Sequence, residues 1–311
     1  MTHIAIIGEC MIELNGAPFG TMTQTYGGDS LNTAVYLSRC AGNNVGVKYV
    51  SALGVDSISD GMLERWQAEG VNTDLVLRDP SRQPGLYLIQ LDEQGERTFL
   101  YWRNQSAARY MLQHPNFPRV EAALAEVDMV YLSGISLAIL SQQDRLHLIE
   151  LLSQLSQQGV EIAFDSNYRP ALWLDADEAR ECYRQLLKIT DLALVTNDDE
   201  QELWGDGDEE ETLSRLQAAG VKRAVVKMGA KGNHYQDFVA GSRQTIATTP
   251  VEHVVDTTSA GDSFNAGFLA GYLQDKDAEQ CSRQGHQLAG IVIQHKGAII
   301  PKQVTDAIIF A

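Results

Sequence analysis

The run Asp256-Thr257-Thr258-Ser259-Ala260-Gly261-Asp262-Ser263-Phe264 holds the residue types best suited to chemistry. A turn of small residues at a helix start leaves several backbone N–H groups with no internal partner. Those amides and the positive end of the helix dipole make a site for an anion. An aspartate among them, Asp262, is placed to take a proton from a hydroxyl that attacks a phosphate. Taken alone, the run also reads as an N-capped strand-to-helix junction. The apolar Val251, Val254 and Val255 lead into it, and Phe264, Phe268 and Tyr272 follow at helical spacing.

Four other stretches carry matching chemistry. Gly27-Gly28-Asp29-Ser30-Leu31-Asn32 opens a helix whose glycine pair lets backbone approach a ligand, and Asn32 offers both a donor and an acceptor. It reads equally as a tight turn with a cap. Asp165-Ser166-Asn167-Tyr168-Arg169-Pro170 follows an apolar strand, and Arg169 suits a carboxylate or a phosphate. Asn197-Asp198-Asp199-Glu200 is a capping box or, functionally, a place where Glu200 organises Mg²⁺ through water. Lys227-Met228-Gly229-Ala230-Lys231-Gly232 is either a hairpin turn or the border of a nucleotide site.

The elements that must position these groups form a repeating pattern. His3 to Gly8 is a buried strand run, and Val47 to Leu53 a second, followed by a helix to Glu69. Further strand runs are 129–132, 161–164, 192–195 and 224–227, with helical patterns at 142–157 and 176–188. The alternation predicts an α/β fold with a mostly parallel sheet covered by helices on both faces. Ligands then bind beyond the carboxyl ends of the strands, where Gly8, Gly54, Gly134, Asp165, Asn167, Asn197 and Gly229 stand. Residues 85–103 break the rhythm. Two β-rich runs flank a polar turn at Gly95, crowded by Tyr87, Tyr101, Trp102 and Arg103, which predicts a separate small sheet.

Composition narrows the function classes. A chain of 311 residues with 44% apolar content suits one large α/β domain. A formal net charge of −17 opposes binding to nucleic acid. No stretch reaches the length of an apolar membrane span, and the N-terminus runs straight into a strand pattern, so a cytoplasmic protein without a secretory signal is expected. The four scattered cysteines suit reduced thiols, and the seven histidines lack ligand spacing. No G-x-G-x-x-G follows the first strand, against a dinucleotide-dependent dehydrogenase, and no Walker-type loop is present.

Together the motifs at Gly27-Gly28 to Asn32 and Asp256 to Asp262 resemble those of the ribokinase-like (PfkB) carbohydrate kinases, and the resemblance spans nearly the whole chain. It implies a single three-layer domain over residues 1–311 with a small β-sheet lid from about 9–26 and 85–103, which commonly supports homo-oligomers. It implies ATP-dependent phosphorylation of a sugar hydroxyl, with Asp262 as base and the amides of Ser259, Ala260, Gly261 and Asp262 as anion hole. Asn167, Tyr168, Arg169, Asn197 and the 227–232 turn, with Ser259 to Gly261, would bind the nucleotide. Mg²⁺ is implied near Glu200, and a monovalent cation, often K⁺, near Asp256 and Thr258. Ser259 departs from the family, which usually has Gly there; its amide serves equally if the position does not require positive φ.

Within the family the chain is most similar to the 2-dehydro-3-deoxygluconate kinase subgroup, through Tyr87, Tyr101-Trp102-Arg103 and Asn167 to Pro170. There, Gly28, Asp29, Ser30, Leu31, Asn32, Tyr87, Tyr101, Trp102, Arg103 and Arg169 would face a sugar acid whose carboxylate needs Arg and hydroxyl donors. The alternative is a fructokinase or another neutral-sugar kinase. A non-catalytic sensor on the same fold would be expected to lack the base.

Overall fold

A computed structural model describes residues 1–91 and 97–308; the polar turn expected at Gly95 lies outside them. The first seven strands are β1 (Thr2–Ile7), β2 (Met11–Gly16), β3 (Met22–Gly27), β4 (Val45–Leu53), β5 (Val76–Arg78), β6 (Leu86–Leu91) and β7 (Arg97–Trp102). The remaining six are β8 (Met129–Ser133), β9 (Glu161–Asp165), β10 (Leu192–Thr196), β11 (Arg223–Lys227), β12 (Asn233–Asp237) and β13 (Ser242–Ile246).

Nine of them form the main sheet in the order β13-β12-β11-β10-β9-β8-β1-β4-β5. Pairing is parallel from β11 to β5, and only the β11-β12-β13 edge is antiparallel. Its central strands are apolar on both faces because helices cover both. Successive residues of β1 enter opposite cores: Ile4 and Ile6 pack with Tyr131 and Phe268, while Ala5 and Ile7 pack with Val130 and Leu132. The strand order reverses between β1 and β8, and a ligand crevice is expected at such a switch point.

The remaining four strands make a separate sheet, β3-β2-β6-β7. Its strands run over 11–16, 22–27, 86–91 and 97–102, with β2 and β6 parallel and both flanking pairs antiparallel. Tyr87 pairs with Tyr101 across β6 and β7.

The expected turn at 227–232 is a hairpin joining β11 to β12 through a short helical turn at Gly229–Lys231. The apolar run before Asp256 does not form a strand. Residues 247–259 are non-repetitive chain, with Val254 and Val255 more than half exposed. Their β-branched composition signals apolar surface rather than sheet, and Val251 and Val254 turn out to line the main cavity. The helix Ala260–Tyr272 follows, carrying the stacked stripe Phe264, Phe268 and Tyr272.

Candidate active site

A cavity of about 740 Å³ lies between the carboxyl ends of the main-sheet strands and the lid. Its size suits a small ligand together with a nucleotide. Two helix starts face each other across it. One belongs to the helix Asp29–Ala41 and the other to Ala260–Tyr272. Asn32 Nδ2 donates to Asp262 Oδ2 at 2.9 Å, and Thr33 Oγ1 reaches the carbonyl oxygen of Asp262 at 3.4 Å. Gly28 is required by close approach, because a Cβ there would stand 2.2 Å from the carbonyl oxygen of Glu9.

Burial and the neighbouring Asp29 carboxylate push the Asp262 carboxyl up to about 7, against the opposing hydrogen bond from Asn32. Burial raises Asp29 as well, and Asn167 Nδ2 holds its carboxylate at 2.7 Å. A carboxylate poised near neutrality, in hydrogen-bond reach of a cavity, is what a general base for a hydroxyl needs. At the same helix start the Ala260 amide bonds back to the Thr257 carbonyl at 3.2 Å. The first-turn amides of Gly261 and Asp262 have no partner within the helix and border the cavity.

Ser259 caps this helix with φ 65°, in the left-handed region. The position does require positive φ, so the serine bears a conformational cost that glycine would avoid. Asp256 shapes the turn from below. Its Oδ1 accepts from the Thr258 amide at 3.0 Å and its Oδ2 from the Gly297 amide at 2.9 Å.

The structure divides the expected site residues. Gly28, Asp29, Asn32, Tyr87, Tyr101, Asn167, Arg169, Lys227, Gly229, Ala230, Gly232, Thr258, Ser259, Ala260, Gly261 and Asp262 line the cavity. Several others do not. Ser30 and Leu31 lie in the helix on the sides turned from the cavity, Ser30 bonding Tyr49 and Leu31 packing in the core. Trp102 falls on the outer face of the lid by strand alternation and is more than half exposed. Tyr168 is buried in the core against the main sheet, while Asn197, Met228 and Lys231 stand outside the wall.

Two corrections bear on chemistry. Arg103 is not an open carboxylate reader: it is buried, and its Nε donates to Glu9 Oε2 at 2.9 Å, with Nη2 on the same oxygen. Glu200 does not line the cavity: it is buried, and its Oε2 accepts from Arg215 Nη2 at 2.6 Å. The carboxylates that do reach the cavity at that end are Asp165 and Asp199. Sequence reasoning gave no role to Phe99, His286 or Ile293, which also line the cavity. The helical periodicity of 286, 289, 290 and 293 was the available signal for that wall. His286 is half-buried and its burial lowers it to about 4, so this wall is neutral.

The pfkB family carbohydrate kinases match residues 1–305. The chain is 59% identical over 303 residues to a 2-dehydro-3-deoxygluconokinase of Haemophilus influenzae, covering 97% of this chain and 96% of that one. It is 46% identical over 313 residues to a 2-dehydro-3-deoxygluconokinase of Dickeya dadantii, covering 98% and 99%. The fold matches that of a fructokinase with bound ATP from Xylella fastidiosa with a TM-score of 0.81 at 22% identity, covering 97% of this chain and 94% of that one. The paired helix starts around Asn32 and Asp262, the lid and these likenesses place the chain in one group: it belongs to the pfkB family of carbohydrate kinases.

Proposed function

We propose that the protein phosphorylates 2-dehydro-3-deoxygluconate with ATP, transferring the terminal phosphoryl group to the 6-hydroxyl. The observation that carries the chemistry is the Asn32–Asp262 bond, which holds a near-neutral carboxyl at the cavity beside the amides of a helix start. The choice of sugar is supported by the relatives at 59% and 46% identity that bear this activity's name, against 26% for a fructokinase of Vibrio alginolyticus.

In the proposed step Asp262 accepts the hydroxyl proton as the sugar oxygen bonds to phosphorus, and ADP leaves with the electrons of the broken bond. Asn32 holds the Asp262 carboxylate in line. The amides of Gly261 and Asp262 meet the charge on the phosphoryl oxygens. Tyr87 and Tyr101 form the lid wall over the sugar. Among the described residues Arg169 is the arginine that lines the cavity, and it takes the carboxylate role that Arg103, held by Glu9, does not fill. Val251, Val254 and the 229–232 turn border the nucleotide.

Oxygen ligands suit Mg²⁺, and Asp199 is the carboxylate placed to hold it with the phosphates, since Lys227 and Asn265 engage both oxygens of Asp165. The metal would neutralise phosphate charge. A monovalent cation at the Asp256–Thr258 turn belongs to the same proposal and is tested by exchanging K⁺ for tetramethylammonium. The outer lid face, with Leu100 and Trp102 exposed on an edge strand, suits a homodimer contact that light scattering would test. Among the described residues no helix is long and apolar enough to cross a membrane.

The deciding experiment is a coupled ADP-release assay on 2-dehydro-3-deoxygluconate, fructose and ribose. The acid should give the highest kcat/KM. A preference for fructose would replace this reading with a neutral-sugar kinase.

A further inference from the structure

We propose that Lys227 is a catalytic residue of the phosphoryl transfer, its ammonium neutralising charge on the travelling phosphoryl group. This rests on the kinase reading above and adds a cation to the amides already described. Lys227 is the last residue of β11, at the carboxyl end of the main sheet, and its side chain is 9% exposed where it lines the cavity. A Cβ added to Gly261 would stand 3.8 Å from its Nζ. The ammonium therefore sits against the first turn of the helix that begins at Ala260, beside the amides that face the cavity.

A cation is unfavourable there on two counts. The helix dipole presents its positive end, and burial strips the ammonium of water. Part of that cost is offset by Asp165, whose Oδ1 lies 3.4 Å from Nζ. Asn265 Oδ1 accepts a hydrogen bond from Nζ at 3.0 Å, and its Nδ2 donates to Asp165 Oδ2 at 2.7 Å, which fixes all three groups. An ammonium carries three N–H donors, and two are directed at Asn265 and Asp165. The third remains for an acceptor in the cavity.

Charge points the same way. Among the described residues the wall carries Asp29, Asp165, Asp199 and Asp262 against two cations, Lys227 and Arg169. The Arg169 side chain is half exposed, so Lys227 is the cation held out of water beside the amides. In the transfer, the bond from phosphorus to the ADP oxygen breaks while the bond to the sugar oxygen forms. The sugar proton goes to Asp262, and Lys227 keeps its own proton throughout. A fixed charge close to the equatorial oxygens favours the transition state over the bound substrates.

The competing role is structural: Lys227 as nothing more than the counter-ion of Asp165. Comparing K227M, D165N and K227M/D165N separates the two, and the double variant leaves no buried charge without its partner. Each is assayed on whichever sugar the wild type turns over fastest, so an error in the sugar named above leaves this test intact. K227M should lower kcat by about 10²–10³-fold with little change in the KM for ATP. The same loss should appear when K227M is added to D165N. Calorimetry with ADP and aluminium fluoride, a mimic of the phosphoryl group in flight, should show binding weakened by a similar factor while ADP alone binds as before. If K227M has no effect in the D165N background, or if the mimic binds the variant as tightly as the wild type, Lys227 acts through Asp165 alone and the proposal is overturned.

Discussion

Arg103 and Glu9 form a buried ion pair where the lid sheet joins the main body. Glu9 follows β1 and Arg103 follows β7, and Ser106 Oγ donates to the other Glu9 oxygen. Both side chains are almost fully out of water, 7% and 1% exposed. Removing one partner of such a pair strands the other charge and typically costs about 3–5 kcal/mol. Arg103→Leu should therefore lose stability of that order in urea unfolding, and Glu9→Gln combined with Arg103→Met should recover most of it. An unchanged midpoint for Arg103→Leu would mean that the pair does not hold the lid to the body. The result also sets how any activity loss of that variant is read: a fall for every sugar alike reports the lid, not the carboxylate.

The Asp262 carboxyl, raised to about 7 by burial and by Asp29, predicts the pH profile. The base works deprotonated, so kcat/KM should rise with pH through a midpoint near that value. Asp29→Asn removes the like charge and should move the limb to lower pH. Asp262→Asn should cut turnover by at least about 10²–10⁴-fold. Stability moves the opposite way to activity. The folded state holds the Asp262 proton more tightly than the unfolded chain, so stability is fullest at low pH and falls as pH rises through the folded value. Asp262→Asn should consequently melt higher than the wild type at pH 8, with the gap closing toward pH 5. Near-normal turnover in this variant, or a gap that widens on acidification, would remove Asp262 from the role of buried base.

Contiguous chemistry was legible in the sequence, and partners distant along the chain were not. The run from Asp256 to Asp262 carries its own turn and helix start, so the role proposed for it follows from local physics. Tyr87 and Tyr101 were legible because a hairpin pairs them in register. Strand alternation within that hairpin already separates Trp102 from Tyr101, and helix geometry separates Ser30 and Leu31 from Asn32; a reading of motif blocks as units blurs both. Arg103 is different. Its partner Glu9 lies 94 residues away, and no local pattern says that the two meet. Glu200 is captured by Arg215 in the same manner, one helix further on. The strand reading of the lead-in at Val251, Val254 and Val255 fails because β-branched residues suit an apolar wall as well as a strand.

Ser259 sits at φ 65° and ψ 14°, where a side chain costs roughly 1–2 kcal/mol that glycine does not bear. Glycine also has more freedom to lose from the unfolded chain, which offsets part of the gain. Ser259→Gly should leave kcat close to the wild type and raise thermal stability slightly. Ser259→Val should destabilise the turn and lower kcat, because β-branching opposes this conformation. Equal melting temperatures for the glycine and valine variants would show that the turn tolerates any residue.

Arg169 lines the cavity, close in the chain to Asn167 and in contact with Asp199. Two residues before it, Asn167 is tied to Asp29 of the sugar-side helix at 2.7 Å. Its own Nη1 donates to the Tyr168 carbonyl at 2.6 Å and reaches Asp199 Oδ1 at 3.4 Å, on the proposed nucleotide side. The longer contact is weak and the side chain is half exposed, so the guanidinium can turn toward an incoming anion without breaking a buried pair. The Asn167–Asp29 tie favours the sugar. Arg169→Leu should reduce kcat/KM for 2-dehydro-3-deoxygluconate by about 10–10²-fold, a loss smaller than for a fully buried partner. Fructose and ribose, which carry no carboxylate, should lose much less. The assay is run at several ATP concentrations, because a phosphate contact would raise the KM for ATP and penalise every sugar equally. That second pattern would move Arg169 to the nucleotide and leave the acid's carboxylate to the lid.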